Sequence, residues 1–229
     1  MTKFFLREID KLKQRLQDHC ARVEETVYDA MRAIWEWDGE LAQRVIERDV
    51  EIDSTEVEIE EECLKILALH QPVAIDLRYT IACLKINNEL ERIGDVASNI
   101  ASRAKHLAKL GRSPIPPELE IMTTKTKTML HNSLSSLINL DAQLARELLC
   151  MDEEVDALNR RMHVLMQEQM RKQPEHVERC VLLLSVSRHL ERIADYATNI
   201  AEDVIYPVSY THLRAHETPE HLVCRLLLE

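Results

Sequence analysis

Four pairs of acids in this chain share one spacing. Asp49 and Asp53, Glu91 and Asp95, Asp152 and Asp156, and Glu191 and Asp195 each set two carboxylates four residues apart. On a helix that spacing puts both acids on one side. Oxygen-only ligands of this kind suit hard or borderline cations such as Mg, Mn, Ca or Fe, and disfavour a structural zinc built from Cys and His. For a lone acid pair, neutralisation by Arg92, Arg192 or water would be explanation enough.

The pairs are not independent of one another. The midpoint of Asp49 and Asp95 falls at Pro72, and so does that of Asp53 and Glu91. In the second half both corresponding midpoints fall between Gln173 and Pro174. Helices joined by a tight turn run antiparallel, so residues equally far from the turn lie level. Each set of four acids is therefore expected to face itself across two helices. Like charges in contact repel by about 1 kcal/mol in water and ~4 kcal/mol near a protein surface. Two mirrored quartets favour a bound cation, with Asn99 and Asn199, one turn further on, either adding carbonyl oxygens or simply capping and hydrating the polar face.

The elements that would hold these acids come from a duplication. ELERIGDVASNIA at 89–101 returns as HLERIADYATNIA at 189–201, with nine of the twelve positions from Leu90 to Ala101 unchanged. Such self-similarity marks a repeated structural unit. Around the first copy, Tyr79, Cys83, Ile86, Leu90, Ile93, Ala97, Ile100, Ala104 and Leu107 alternate gaps of four and three, the seam of a long bundle helix. The second copy keeps that register from Cys180 to Val204. Upstream of the copies, Val45, Ile52, Ile59 and Ile66, and then Leu148, Val155 and Met162, recur every seven residues ahead of Pro72 and Pro174.

A further helix opens each half, over about Phe4 to Trp37 and Glu118 to Leu140, with Asp38-Gly39 as the first break. Gly111-Arg112-Ser113-Pro114-Ile115-Pro116-Pro117 cannot continue a helix and reads as the linker. The expected fold is all-α: two tandem three-helix bundles related by duplication, at 1–110 and 118–206, joined by the linker 111–117. Residues 207–229 have no counterpart in the first half and read as an extension foreign to the domain. Its histidines His212 and His216 are four apart, but the HExxH pattern fails and Pro219 would break the helix such a site needs.

Composition agrees with helix. Aromatics are 4% of 229 residues and there are three glycines, so strands, hairpins and glycine-rich phosphate loops lack raw material. A net charge of -11 argues against nucleic acid. The six cysteines, Cys20, Cys63, Cys83, Cys150, Cys180 and Cys224, are widely spaced and read as small core residues in a reducing cytoplasm. No apolar run approaches the ~20 residues of a membrane span, and MTKFFLREIDKLK mixes charge into its apolar residues, unlike a secretory signal. Membrane association is expected only through a partner. The acidic run from Glu47 to Glu62, nine acids and one base, reads as a solvated helix face apart from Asp49 and Asp53.

With these residues in place the chain resembles the phosphate-specific transport system accessory protein PhoU family. The resemblance covers about residues 1–206, carried by QPVAIDLRYTIACLKINNELERIGDVASNIA at 71–101 and SRHLERIADYATNIAEDVIY at 187–206. It implies two three-helix bundles and metal-binding E/D-xxx-D motifs, which fall on Asp49, Asp53, Glu91, Asp95, Asp152, Asp156, Glu191 and Asp195. It also implies a non-enzymatic negative regulator of the phosphate-starvation response, bridging the ATPase of a phosphate ABC transporter and a membrane sensor histidine kinase, often as a homodimer. Two rivals stand beside it. A carboxylate-bridged di-iron protein would use ExxH pairs, and none of the ten histidines has Glu three residues before it. A metal-free helical scaffold would use the acidic faces for solubility or for basic partners. No nucleophile elbow or nucleotide loop supports an enzyme.

Overall fold

The computed structural model describes residues 3–139 and 141–215. Its helices are α1 (Lys3–Glu36), α2 (Gly39–His70), α3 (Ala74–Lys109), α4 (Pro117–Asn139), α5 (Ala142–Leu149), α6 (Asp152–Lys172) and α7 (Val177–Ala215), with a 3-10 turn at Pro174–His176 before α7. The described residues contain no strand. Among them, no helix is long and apolar enough to cross a membrane.

Both halves turn from first to second helix by the same device. Asp38 Oδ1 accepts from the Glu40 and Leu41 amides at 2.9 Å, and Asp141 Oδ1 from Gln143 and Leu144 at 2.9 and 3.0 Å. Each satisfies amides that a new helix leaves orphaned. Just before each cap the chain closes the preceding helix, Asp38 N donating to Ala33 O and Asp141 N to Ser136 O. Trp37, in the left-handed region at φ 58°, makes the first of these closures.

The sevenfold seams are core. Val45, Ile52, Ile59 and Ile66 on α2, and Val155 and Met162 on α6, are at most 1% exposed. They pack against Ile86, Leu90 and Ile93 of α3 and against Val186, Leu190 and Ile193 of α7, all buried. On this scale each such side chain adds about 1.5–3 kcal/mol relative to leaving it in water.

The second half departs from three long helices. Its middle helix is interrupted at Cys150 and Met151, whose amides reach back only three residues, to Glu147 O and Leu148 O. No Gly or Pro marks the interruption. Asp152, Glu153 and Glu154 restart the helix as α6, three acids in a first turn whose dipole favours them. Cys150 is exposed in consequence, unlike the core role expected of it, whereas Cys20, Cys63, Cys83 and Cys180 are buried. A second difference lies at the end of the fold, where the α7 backbone continues through Pro207 to Ala215. The change of sequence character at Tyr206 is thus not a helix end. Residues 216–229, with His216, His221 and Cys224, lie outside the described residues.

The bundles join chiefly through α3 and α7, which run antiparallel. Lys85 Nζ lies 2.8 Å from Asp203 Oδ1, Asn199 Nδ2 donates to Glu89 Oε2 at 3.4 Å, and Arg103 Nε donates to Ser185 Oγ at 3.1 Å. Lys85 and Ser185 are equivalent positions in the repeat, as are Arg103 and Asp203. The first and third contacts therefore map onto each other, and the halves are related by a pseudo-twofold axis level with Gly94 and Ala194. Arg179 donates to the carbonyls of Leu110 and Gly111 at 2.8 and 3.0 Å, tying the linker to α7.

Candidate functional site

Three of the four acids in the first quartet converge. Asp49 and Asp53 on α2 and Asp95 on α3 each offer an oxygen within 4.8 Å of the others. Glu91 completes the level through its field: burial first, then the charges of Asp95, Asp53 and Glu56, raise its carboxyl above the usual range. Burial likewise raises Asp49, helped by Asp53 and Asp95, while a hydrogen bond from Ser98 pulls the other way. Ser98 was not singled out in the sequence, where it looks like any polar position one turn beyond the acids.

Gly94 lets the two helices come this close. A Cβ added there would sit 2.9 Å from Ile52 Cγ2 and 3.2 Å from Ile52 Cδ1. Such distances force something to move. In the second half the same two positions are Val155 and Ala194, both fully buried. One methyl has in effect passed from one helix to its neighbour, keeping the filled volume constant.

The second quartet also gathers. Asp152 is raised by burial, then by Asp156 and Glu191; Asp195 is raised by burial, then by Asp152, Glu191 and Asp156. Its oxygens do not close into a common cluster as those of the first do, among the described residues. The interruption before α6 accounts for the looser arrangement: Asp152 stands in the first turn of a helix, where Asp49 stands deep inside one.

The arginines beside Glu91 and Glu191 are engaged elsewhere. Arg92 pairs with Glu89 at 3.4 Å, and Arg192 donates to the Tyr196 hydroxyl at 2.9 Å. Each is the smallest influence on Glu91 or Asp195. Arg160 reaches Asp156 from one turn away at 3.8 Å. Asp49 Oδ1 and Asp152 Oδ1, equivalent atoms of the two quartets, are buried without a hydrogen-bond donor. Asn99 Nδ2 donates to Asp95 O at 2.8 Å along its own helix, and Asn199 turns across to Glu89.

One turn inward lies a buried polar level. In the first bundle Asn87 Nδ2 donates to Glu56 O at 2.8 Å, leaving Asn87 Oδ1 unpartnered, and His19 has both ring nitrogens unpartnered. In the second bundle Ser187 Oγ lies 2.5 Å from Asn159 Oδ1 and 3.6 Å from Met122 Sδ. His19 and Asn87 escaped notice in the sequence because each stands singly among apolar residues.

Comparison with known proteins gives the same duplicated unit. The family model of the PhoU domain matches residues 16–104 and again 119–204. A phosphate-specific transport system accessory protein PhoU homolog from Pseudomonas aeruginosa is 37% identical over 215 residues, covering 93% of this chain and 89% of that protein. The PhoU homolog 1 of Thermotoga maritima is 32% identical over 203 residues, covering 88% of each. Among solved structures, the crystal structure of PhoU from Pseudomonas aeruginosa superposes with a TM-score of 0.86 at 37% identity, over 90% of this chain and 99% of that one. The phosphate transport system regulatory protein PhoU from Streptococcus pneumoniae gives 0.79 at 28% identity, over 89% and 96%.

Proposed function

The chain belongs to the PhoU family, and from that membership we propose that it is a regulatory accessory protein of phosphate transport. In this reading it is a non-enzymatic cytoplasmic adaptor and negative regulator of the phosphate-starvation response. It meets the ATPase of a phosphate ABC transporter and a membrane sensor histidine kinase, and acts as a homodimer. Support comes from the family match in both halves and from relatives of nearly the same length whose names place them in phosphate transport.

Two carboxylate sites carry its metal in the same proposal: Asp49, Asp53, Glu91 and Asp95, and Asp152, Asp156, Glu191 and Asp195. The donor set fits Mg, Mn or Fe, being all oxygen and crowded with negative charge. The single observation that supports occupancy is the pair of equivalent oxygens, Asp49 Oδ1 and Asp152 Oδ1, each buried and lacking a donor. Such atoms are costly unless something positive meets them. A bound cation would neutralise the acids and hold the second helix of each half against the third. The acids themselves do the positioning, through the i,i+4 spacing and the close approach at Gly94.

The test is elemental analysis of the purified protein with a thermal melt before and after chelation. Stoichiometric Mg, Mn or Fe is expected, with a melting temperature that falls when it is removed, because a ligand bound only by the folded state must stabilise it. Asp95→Asn with Asp195→Asn should abolish both the metal and the repression of phosphate-starvation genes in cells. Protein that retains no metal and gains no stability from any added would leave the metal-free scaffold as the correct reading.

A further inference from the structure

An apolar seam follows the solvated acidic run on α2 and continues just past the run's end. Val50, Val57 and Leu64 are 71%, 50% and 52% exposed and stand seven residues apart. At about 100° per residue they lie about 200° round the helix from the core series Ile52, Ile59 and Ile66. Their seam therefore faces outward. Acids flank it on both sides: Asp53 and Glu60 on one, Glu47, Glu51, Glu58 and Glu61 on the other, all exposed. Arg48, the one base of that run, is turned toward α1, 3.2 Å from Asp29. Arg15 reaches Glu58 at 3.6 Å.

The duplication supplies an internal control. The positions of α6 equivalent to Val50, Val57 and Leu64 are Glu153, Arg160 and Gln167, as an ordinary wet face would have. Apolar residues at heptad spacing in one copy, and polar ones in the other, set α2 apart from a helix that merely needs solubility.

We propose that the outer face of α2 docks an amphipathic helix of a partner protein, its apolar seam laid on Val50, Val57 and Leu64 and its flanking Lys or Arg residues meeting the acids. Charge complementarity chooses this occupant, since a strip with acids on both edges repels acidic partners and rewards basic ones. The spacing matches the heptad of a second helix laid alongside. Asp53 belongs both to the first quartet and to one edge of the strip, so the docking face and the carboxylate site share a border. The inference rests on the reading of the chain as a partner-binding protein.

The experiment titrates full-length protein into a labelled synthetic helix of about three heptads, leucines in its seam and lysines beside them. Two control peptides carry the same residues scrambled, or glutamates in place of the lysines. Binding is expected for the first peptide alone, weakening with added salt. It should fall at least about tenfold, or about 1.4 kcal/mol, in the double variant Val57→Ser with Leu64→Ser. Circular dichroism should be unchanged, because both side chains are at the surface. Equal binding of the scrambled peptide, undiminished binding by the variant, or no binding at all would each overturn the proposal. So would self-association in sedimentation that the same variant abolishes, which would assign the seam to a second copy of the chain. The chelation melt and the starvation-gene readout of the Asp95 and Asp195 variants do not involve the seam, so failure here leaves the proposed function standing.

Discussion

His19 lies wholly inside the first bundle with neither ring nitrogen hydrogen-bonded. Burial, with a smaller push from Arg22, lowers its pKa from 6.5 to about 4. The unfolded chain then takes up a proton first as the pH falls. The stability attached to neutral His19 is complete above about pH 6.5 and is lost as the pH drops toward about 4. His189, lowered to about 4 by burial and by Arg103, Arg192 and Arg188, acts in the same direction. The repeat itself suggests the remedy, since the position equivalent to His19 is Met122, also fully buried. His19→Met should stabilise the fold by about 1–3 kcal/mol at mildly acidic pH, and denaturant titrations across that range should show a shallower pH dependence than the parent protein. The acids were legible at this scale and His19 was not. Eight carboxylates announce themselves by spacing and mirror symmetry, whereas a single histidine on an apolar face carries no pattern until its neighbours are known.

Helix by helix, the contact between Gly94 and Ile52 is where sequence and packing meet most closely. Gly94→Ala should lower stability by about 1–3 kcal/mol through overpacking against Ile52. Adding Ile52→Val should recover much of that loss, because it recreates the Val155 and Ala194 pair of the second half. A double-mutant cycle measured by denaturation would show the coupling as non-additivity, and simple additivity would place the two residues out of contact. Most element boundaries were readable, since Asp38-Gly39, Pro72, the proline-rich linker and Pro174 all interrupt a clear helical period. The interruption at Cys150 and Met151 was not, for want of Gly or Pro. Only the acids that follow, Asp152, Glu153 and Glu154, signal a new start. The outward seam of α2 was also in plain view as a seven-residue series, but the surrounding acids masked it as ordinary surface.

For the molecule as a whole, the decisive contact is α3 against α7. Val96 of α3, seven residues from both Glu89 and Arg103, is buried on the face turned to α7, where Lys85, Glu89 and Arg103 meet Asp203, Asn199 and Ser185 of the facing helix. A separated half would expose these faces. The two bundles should therefore unfold together, and calorimetry should show one transition whose calorimetric and van't Hoff enthalpies agree; two resolved transitions would mean that the bundles are independent. The duplication predicted two like bundles but said nothing of how they meet, because equivalent residues repeat along the chain whichever way the halves are turned. A true dimer of one bundle would look the same from either side of its axis. Fusing the copies into one chain keeps the pseudo-twofold frame while letting each side change alone: one has the closed trio of acids and the apolar strip, the other the interrupted helix and polar face. The molecule thus has a left and a right, and anything bound across both bundles can sit on it in only one orientation.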